Sequence, residues 1–200
     1  GSVDFAKNWA DYEQGFGNLD GEHWLGLNKQ NQITGQKTYI LRVDLSDWEG
    51  QSRYATYSSF SVGDSSTEYP VSISGYSGDA GDSLTSGGSR FDINGLRFTT
   101  SDNDNDPKSG SNCAQSFGGG GWWFPASCGY AMLNGRYNDS GSAQGVTWER
   151  WRGYTYSLKM ASLKVRPNDF AGKMHSAWYP ALLRYHFMLR KRSECVYMSL

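Results

Sequence analysis

The sequence predicts an α+β domain in which one short helix precedes largely antiparallel strands and long loops. Three observations carry that prediction. The stretch "VDFAKNWADYEQGFG" (3–17) spaces Phe5, Trp9, Tyr12 and Phe16 as neighbours on one helical face. The stretch "KTYILRVDLSDWEGQSRYATYSSFSV" (37–62) alternates on either side of a polar Asp-Trp-Glu-Gly connection, as a β-hairpin does. The chain also holds 25 glycines, 8 tryptophans and 13 tyrosines, with only 38% of residues in the hydrophobic set. Such a composition describes a loop-rich domain whose core leans on large aromatics, which bury area and hydrogen-bond at their edges.

Each element follows in order. Asp4 is the candidate cap of the first helix, and Gly15 or Gly17 its stop. In the hairpin, Tyr39, Leu41, Val43 and Leu45 share one face, opposite Tyr54, Thr56, Ser58, Phe60 and Val62. "VSISGYS" (71–77) reads as a further short strand, "GDAGDSLTSGGS" (78–89) as a flexible loop, and Asn94-Gly95 as a turn ahead of "LRFTT" (96–100). "YTYSLKMASLKV" (154–165) alternates as a closing strand before Arg166 and Pro167. Beyond this point the character changes. Residues 168–200 hold five basic residues (Lys173, Arg184, Arg190, Lys191 and Arg192) against Asp169 and Glu194. Pro180 interrupts any helix there, leaving 181–192 as a short basic amphipathic segment or, as the weightier alternative, part of a poorly ordered extension. The expected organisation is one domain over 1–167 followed by a basic tail over 168–200.

Several function classes fall away. Nineteen basic and 20 acidic residues give a net charge of −1, so nothing in the overall balance points to nucleic acid or an acidic membrane. There is no apolar run of membrane-spanning length and no apolar N-terminal segment of signal type. No G-x-S-x-G elbow occurs, and His23 is the only histidine before the tail, where a satisfied structural role is the commoner one. No enzyme is expected. Gly118 to Gly121 lack the following Lys-Ser/Thr of a phosphate loop and read instead as room for backbone beneath Trp122 and Trp123.

The stretch "SDNDNDPKSGSNCAQSFGGGGWWFPASC" (101–128) concentrates the remaining chemistry. Asp102, Asp104 and Asp106 alternate in a loop and supply hard oxygen ligands of the kind calcium takes. An EF-hand is excluded, since Pro107 and Cys113 stand where its glycine and bidentate glutamate belong. On residue types alone a solvated polar turn is an equal reading. Cys113 and Cys128 lie in one region while Cys195 stands apart, so one disulfide with one cysteine left over is the natural count. Closing that loop would stabilise the fold by roughly 3 kcal/mol. Zinc lacks ligands at suitable spacing.

The motifs "VDFAKNWADYEQGFGNLDGEHWLGL", "RVDLSDWEG", "FTTSDNDND", "NCAQSF", "GGWWF", "LNGRY" and "GVTWERWRGYTYSLKMASLKVRP" occur in one order from Ser2 to Pro167. Together they resemble the fibrinogen-related domain, and the later blocks resemble most its ficolin and tachylectin branch. The resemblance implies a fibrinogen C-terminal-like globular fold with a loop-rich calcium- and ligand-binding subdomain. It implies a secreted, extracellular, non-enzymatic lectin that recognises glycans, acetylated sugars among them, in innate-immune pattern recognition. The alternative within the same family is a domain that binds an extracellular protein and no sugar. Calcium is implied at the side chains of Asp104 and Asp106 with the carbonyls of Lys108 and Gly110. The ligand pocket maps to Phe117, Ser127, Cys128, Gly129, Ser142, Ala143 and Tyr154, over a Cys113–Cys128 disulfide and a cis peptide between Ser127 and Cys128. Gly129 stands where lectin members carry histidine, and Ser142 where they carry an aromatic, which opens the cup and loosens acetyl selectivity. The family domain begins some tens of residues earlier with two more cysteines, so the chain reads as N-terminally truncated, and the full-length protein as an oligomer.

Overall fold

The computed structural model describes residues 1–169 and 196–199. The elements are α1 (Trp9–Gln14), β1 (Phe16–Gly17), β2 (His23–Trp24), α2 (Leu27–Thr34), β3 (Tyr39–Ser46), β4 (Ser52–Val62), β5 (Val71–Gly78), α3 (Cys113–Ser116), β6 (Ala131–Met132), β7 (Thr147–Trp148), α4 (Glu149–Arg152), β8 (Met160–Pro167) and β9 (Val196–Ser199). The architecture is α+β, as the sequence predicts. One antiparallel sheet runs in the order β5-β4-β3-β8-β9, with a long irregular segment that leaves the sheet after β5 and returns at β8.

The sheet forms where the sequence alternates. Tyr39, Leu41, Val43 and Leu45 of β3 all point into the core. Val43 pairs with Leu163 and Leu41 with Val165 of β8, so β8 lies inside the sheet, between β3 and β9. β4 departs from the predicted face. Its buried residues are Ala55, Tyr57, Phe60 and Val62, because Tyr39 pairs with Phe60 while Leu41 pairs with Tyr57. Two residues, Ser58 and Ser59, therefore oppose Ile40 alone, and this bulge inverts the alternation for the first half of the strand.

Other differences have equally local causes. The first helix begins later than the apolar spacing suggests: Asp4 accepts the Ala6 N–H in a preceding turn, and Asn8 is the cap, its side chain accepting the Asp11 N–H. Gly15 ends it, one of the two predicted stops. Helix α2 has no counterpart in the sequence reading, since "LNKQNQIT" is mostly polar and buries only Leu27, Gln30 and Thr34. "LRFTT" contributes two isolated bridges, Thr99 with Trp122 and Thr100 with Asn103. Val196–Ser199 adds an outer strand beside β8, an element not assigned from the sequence. The amphipathic segment at 181–192 and Cys195 lie outside the described residues.

Phe98 sits at the junction of helix, sheet and loops. It is fully buried, with ring centroids 5.1 Å from Tyr12, 5.8 Å from Trp24, 6.2 Å from Trp9 and 5.0 Å from Trp123. Phe98→Ala is expected to lower unfolding stability by about 3–5 kcal/mol in urea denaturation, the range for a buried aromatic; a loss under about 1 kcal/mol would show that the cluster does not hold the subdomain.

Candidate functional site

The loop 98–106 is built from inside outward. The Asn105 side chain turns inward and donates to the Phe98 carbonyl (2.9 Å), while its N–H donates to Thr99 Oγ1 (3.0 Å). With Asn105 held inward, its neighbour Asp104 is exposed and Asp106 half-buried, and the two stand together: the Asp106 N–H reaches Asp104 Oδ1 at 3.3 Å. Asp102 has a different task. Its carboxylate accepts the Trp9 N–H (3.0 Å) and the Thr100 hydroxyl (2.7 Å), which ties the loop to the start of α1.

Asp106 links the loop to the disulfide. One carboxylate oxygen accepts the Lys108 N–H and the other the Cys113 N–H, both at 2.8 Å. Burial pushes the Asp106 carboxyl pKa up, those two N–H donors pull it down, and the Asp104 charge pushes it up again. Among the described residues no three His, Cys, Asp or Glu side chains form a metal cluster. A cation here would therefore rest on two carboxylates and on backbone oxygen. The carbonyls of Lys108 and Gly110 are suited to that, since neither accepts a hydrogen bond among the described residues. This all-oxygen donor set fits calcium, not zinc.

Helix α3 begins at Cys113, capped by Asn112, which also donates to the Thr100 carbonyl (2.9 Å). Cys113 bonds to Cys128 with Cα atoms 5.5 Å apart. Beside this disulfide lies a pocket of about 190 Å³. All seven predicted lining residues meet there: Phe117, Ser127, Cys128, Gly129, Ser142, Ala143 and Tyr154. Ala131, Met132 and Thr147 complete it, brought in by the small β6–β7 pair. Sequence reasoning missed these three because a two-residue strand leaves no periodic signal.

One implied feature is corrected. No peptide bond among the described residues is cis, so the Ser127–Cys128 bond is trans. The turn is made by φ instead: Cys128 (φ 65°) and Gly129 (φ 92°) are both left-handed, and the Cys128 N–H closes onto the Pro125 carbonyl at 2.7 Å. Ala143 on the opposite wall is left-handed as well (φ 56°). Non-glycine residues in this region are strained and tend to cluster at functional sites. The glycine run is also placed differently from the sequence reading. Gly118 and Gly120 pack against the 134–136 backbone, where a Cβ on Gly120 would overlap the Asn134 carbonyl, and Gly121 packs against the Phe98 and Tyr12 rings, with no tryptophan atom among these nearest neighbours.

The polar groups facing the pocket are unevenly committed. The N–H groups of Ser127, Cys128 and Ala143 go to the Arg90, Pro125 and Tyr154 carbonyls, and that of Gly129 to Ser127 Oγ. The Thr147 hydroxyl is buried without a partner among the described residues. The Tyr154 hydroxyl makes no hydrogen bond among the described residues, and its pKa is pushed up to about 12, first by burial and then by the Glu149 charge. It is a neutral donor at physiological pH. His23, by contrast, is buried with Nδ1 against the Gly21 carbonyl (3.1 Å), away from the pocket.

The model of the fibrinogen beta and gamma chains, C-terminal globular domain, matches residues 1–168, and the chain belongs to that family. Tenascin of Gallus gallus is 44% identical over 170 residues, covering 85% of this chain and 9% of that protein. Fibrinogen C domain-containing protein 1 of Xenopus tropicalis is 45% identical over 175 residues, covering 84% and 36%. Angiopoietin-4 of Bos taurus is 45% identical over 172 residues, covering 84% and 33%. The chain thus spans about a third or less of the length of most of these relatives. Among solved structures, the fibrinogen-like globe domain of human ANGPTL2 superposes with a TM-score of 0.77 at 42% identity, over 84% of this chain and 76% of that one. Lamprey fibrin D-dimer, complexed with the peptide ligand Gly-His-Arg-Pro-amide, gives 0.78 at 34% identity, over 92% and 64%. These relatives establish the family without favouring its ficolin and tachylectin branch.

The three aspartates separate by substitution. With chelator present, Asp102→Ala is expected to lower stability by about 1 kcal/mol through the lost helix contact, whereas Asp104→Ala should stay within about 0.5 kcal/mol. Equal losses in thermal or urea unfolding would show that the two residues share one role.

Proposed function

We propose that the chain is a secreted, extracellular recognition domain, not an enzyme, that binds a small terminal group of a glycan in a calcium-dependent manner. Acetylated sugars fall within this class, and pattern recognition of the innate-immune kind is the setting. The observation that carries the reading is the joining of two features through one residue: Asp106 stands in the oxygen-lined loop and also fixes the start of α3 at Cys113, whose disulfide partner Cys128 lines the pocket.

A cavity of about 190 Å³ is smaller than the ~300 Å³ at which sites for whole drug-sized ligands begin. It suits an end group with the rest of the ligand outside. Asp104 and Asp106 would hold calcium with the carbonyls of Lys108 and Gly110. The ion would supply positive charge that relieves the paired carboxylates and sets the loop rigidly beside the disulfide. Asn138 of the Asn-Asp-Ser sequon is exposed in a turn, which accords with secretion. Single shallow sites bind weakly, so an oligomer of the full-length protein would add avidity.

A second reading is favoured by the peptide bound to the lamprey fibrin D-dimer: the same loops would meet an extracellular protein and no sugar. A blank glycan array, with capture of a protein or peptide by the calcium-loaded chain, would support it.

Asp104→Ala combined with Asp106→Ala is expected to abolish both calcium binding, read by titration calorimetry, and binding to a glycan array carrying acetylated and acidic sugars. Glycan binding that survives in the double variant would contradict calcium dependence.

A further inference from the structure

We propose that Lys108 makes this pocket selective for a carboxylate over a neutral acetamido group. The inference rests on the reading of the pocket as the ligand site and adds the charge of what enters it.

Lys108 is not itself a lining residue, but its Nζ donates to Cys128 Sγ at 3.4 Å and lies 5.5 Å from the centroid of the Phe117 ring, and both of these partners line the pocket. No carboxylate lies within ion-pair distance of this ammonium among the described residues. No acid lines the pocket itself. The nearby acids have other partners, Glu149 the Arg150 guanidinium (3.5 Å) and Asp106 the N–H groups of Lys108 and Cys113, although the Glu149 charge is still felt at Tyr154. A cation at the edge of a partly enclosed, acid-free cavity favours an anion there, because low-dielectric walls strengthen the attraction.

The uncommitted donors point the same way. A neutral acetamido group presents one carbonyl oxygen and one N–H, and the backbone donors of Ser127, Cys128, Gly129 and Ala143 are already spent within the protein. Side-chain donors remain: the Lys108 ammonium beyond its bond to Cys128 Sγ, the half-buried Tyr154 phenol, the Ser142 hydroxyl and the Thr147 hydroxyl, which is 1% exposed and unpartnered among the described residues. A carboxylate, with two oxygens and several lone pairs, can accept from more than one of these. Its apolar stem would rest against Ala131, Met132 and Ala143. Hydrogen bonds to charged groups exceed neutral ones by enough to change a binding constant by about tenfold.

Acetate and acetamide share a methyl group and differ in charge. Both can be titrated into the calcium-loaded chain and followed by NMR shifts of the pocket residues. Acetate is expected to bind about tenfold more tightly than acetamide, with an affinity that falls as salt rises. In Lys108→Met, which keeps the backbone carbonyl, the ratio should collapse towards one. Thr147→Val should weaken acetate binding with the fold intact, as checked by near-UV circular dichroism. Equal binding of the two probes to the unaltered chain, or a preference that survives Lys108→Met, would overturn the charge selectivity while leaving the pocket as the site. If neither probe shifts any pocket residue of the folded, calcium-loaded chain, the pocket itself is not the site and both readings fall.

Discussion

Three buried tryptophans, Trp24, Trp123 and Trp148, brace this molecule by donating their indole N–H groups to backbone carbonyls of other segments, while a fourth, Trp122, is buried with its Nε1 unpartnered among the described residues. Between β5 and β8 the chain runs about eighty residues with only two very short strands and two single-turn helices. A loop of that length carries many backbone carbonyls into the interior, and each is costly if left without a donor. Trp148 Nε1 donates to the Ala80 and Gly81 carbonyls, Trp123 Nε1 to Tyr69, and Trp24 Nε1 to Tyr12. The Asn105, Asn112 and Asn134 amides do the same for Phe98, Thr100 and Gly121. One kind of side chain thus buries a large apolar area and satisfies the backbone that the burial encloses.

That arrangement explains why the site can be both loop-built and fixed. The sheet supplies a conventional core through Leu41, Val43, Leu45, Leu163 and Val165, and the aromatic cluster around Phe98 joins that core to the aspartate loop. The loop is then fastened at further points: Asp102 to α1, Asn112 to Thr100, and Asp106 to the first residue of α3. The disulfide closes the segment, a constraint of roughly 3 kcal/mol on the unfolded chain. Left-handed backbone at Cys128 and Ala143 persists because the surroundings over-determine it. The result is a small cavity whose walls are set by structure well below it.

How far the sequence revealed this depends on the kind of signal each part leaves. Strand β3 was legible because alternation is a strict two-residue period and Tyr39, Leu41, Val43 and Leu45 all point inward, with Ile40 alone among its apolar residues on the other face. Half of β4 was misread because one extra residue at Ser58–Ser59 reverses the face, and nothing in a run of serines announces a bulge. The helix start shifted from Asp4 to Asn8 because both are good caps and only the fold chooses between them. Helix α2 left almost no periodic trace, its stability coming from three buried residues and tertiary packing. The seven pocket residues that meet in space were placed by family resemblance, since they lie in separate loops and share no spacing rule. Resemblance also brought a cis bond that this chain does not have. Thr147 and Lys108 stand out only through their surroundings: an unpaired hydroxyl and an ammonium beside a disulfide are properties of the folded chain.

The most direct test is diffraction from crystals of the chain equilibrated with calcium and sodium acetate. The expected result is a cation held by Asp104 and Asp106 with the carbonyl oxygens of Lys108 and Gly110, together with acetate in the pocket lined by Phe117, Cys128, Ala143 and Thr147. An ordered loop without a cation, or acetate bound elsewhere while this pocket holds only water, would contradict the account.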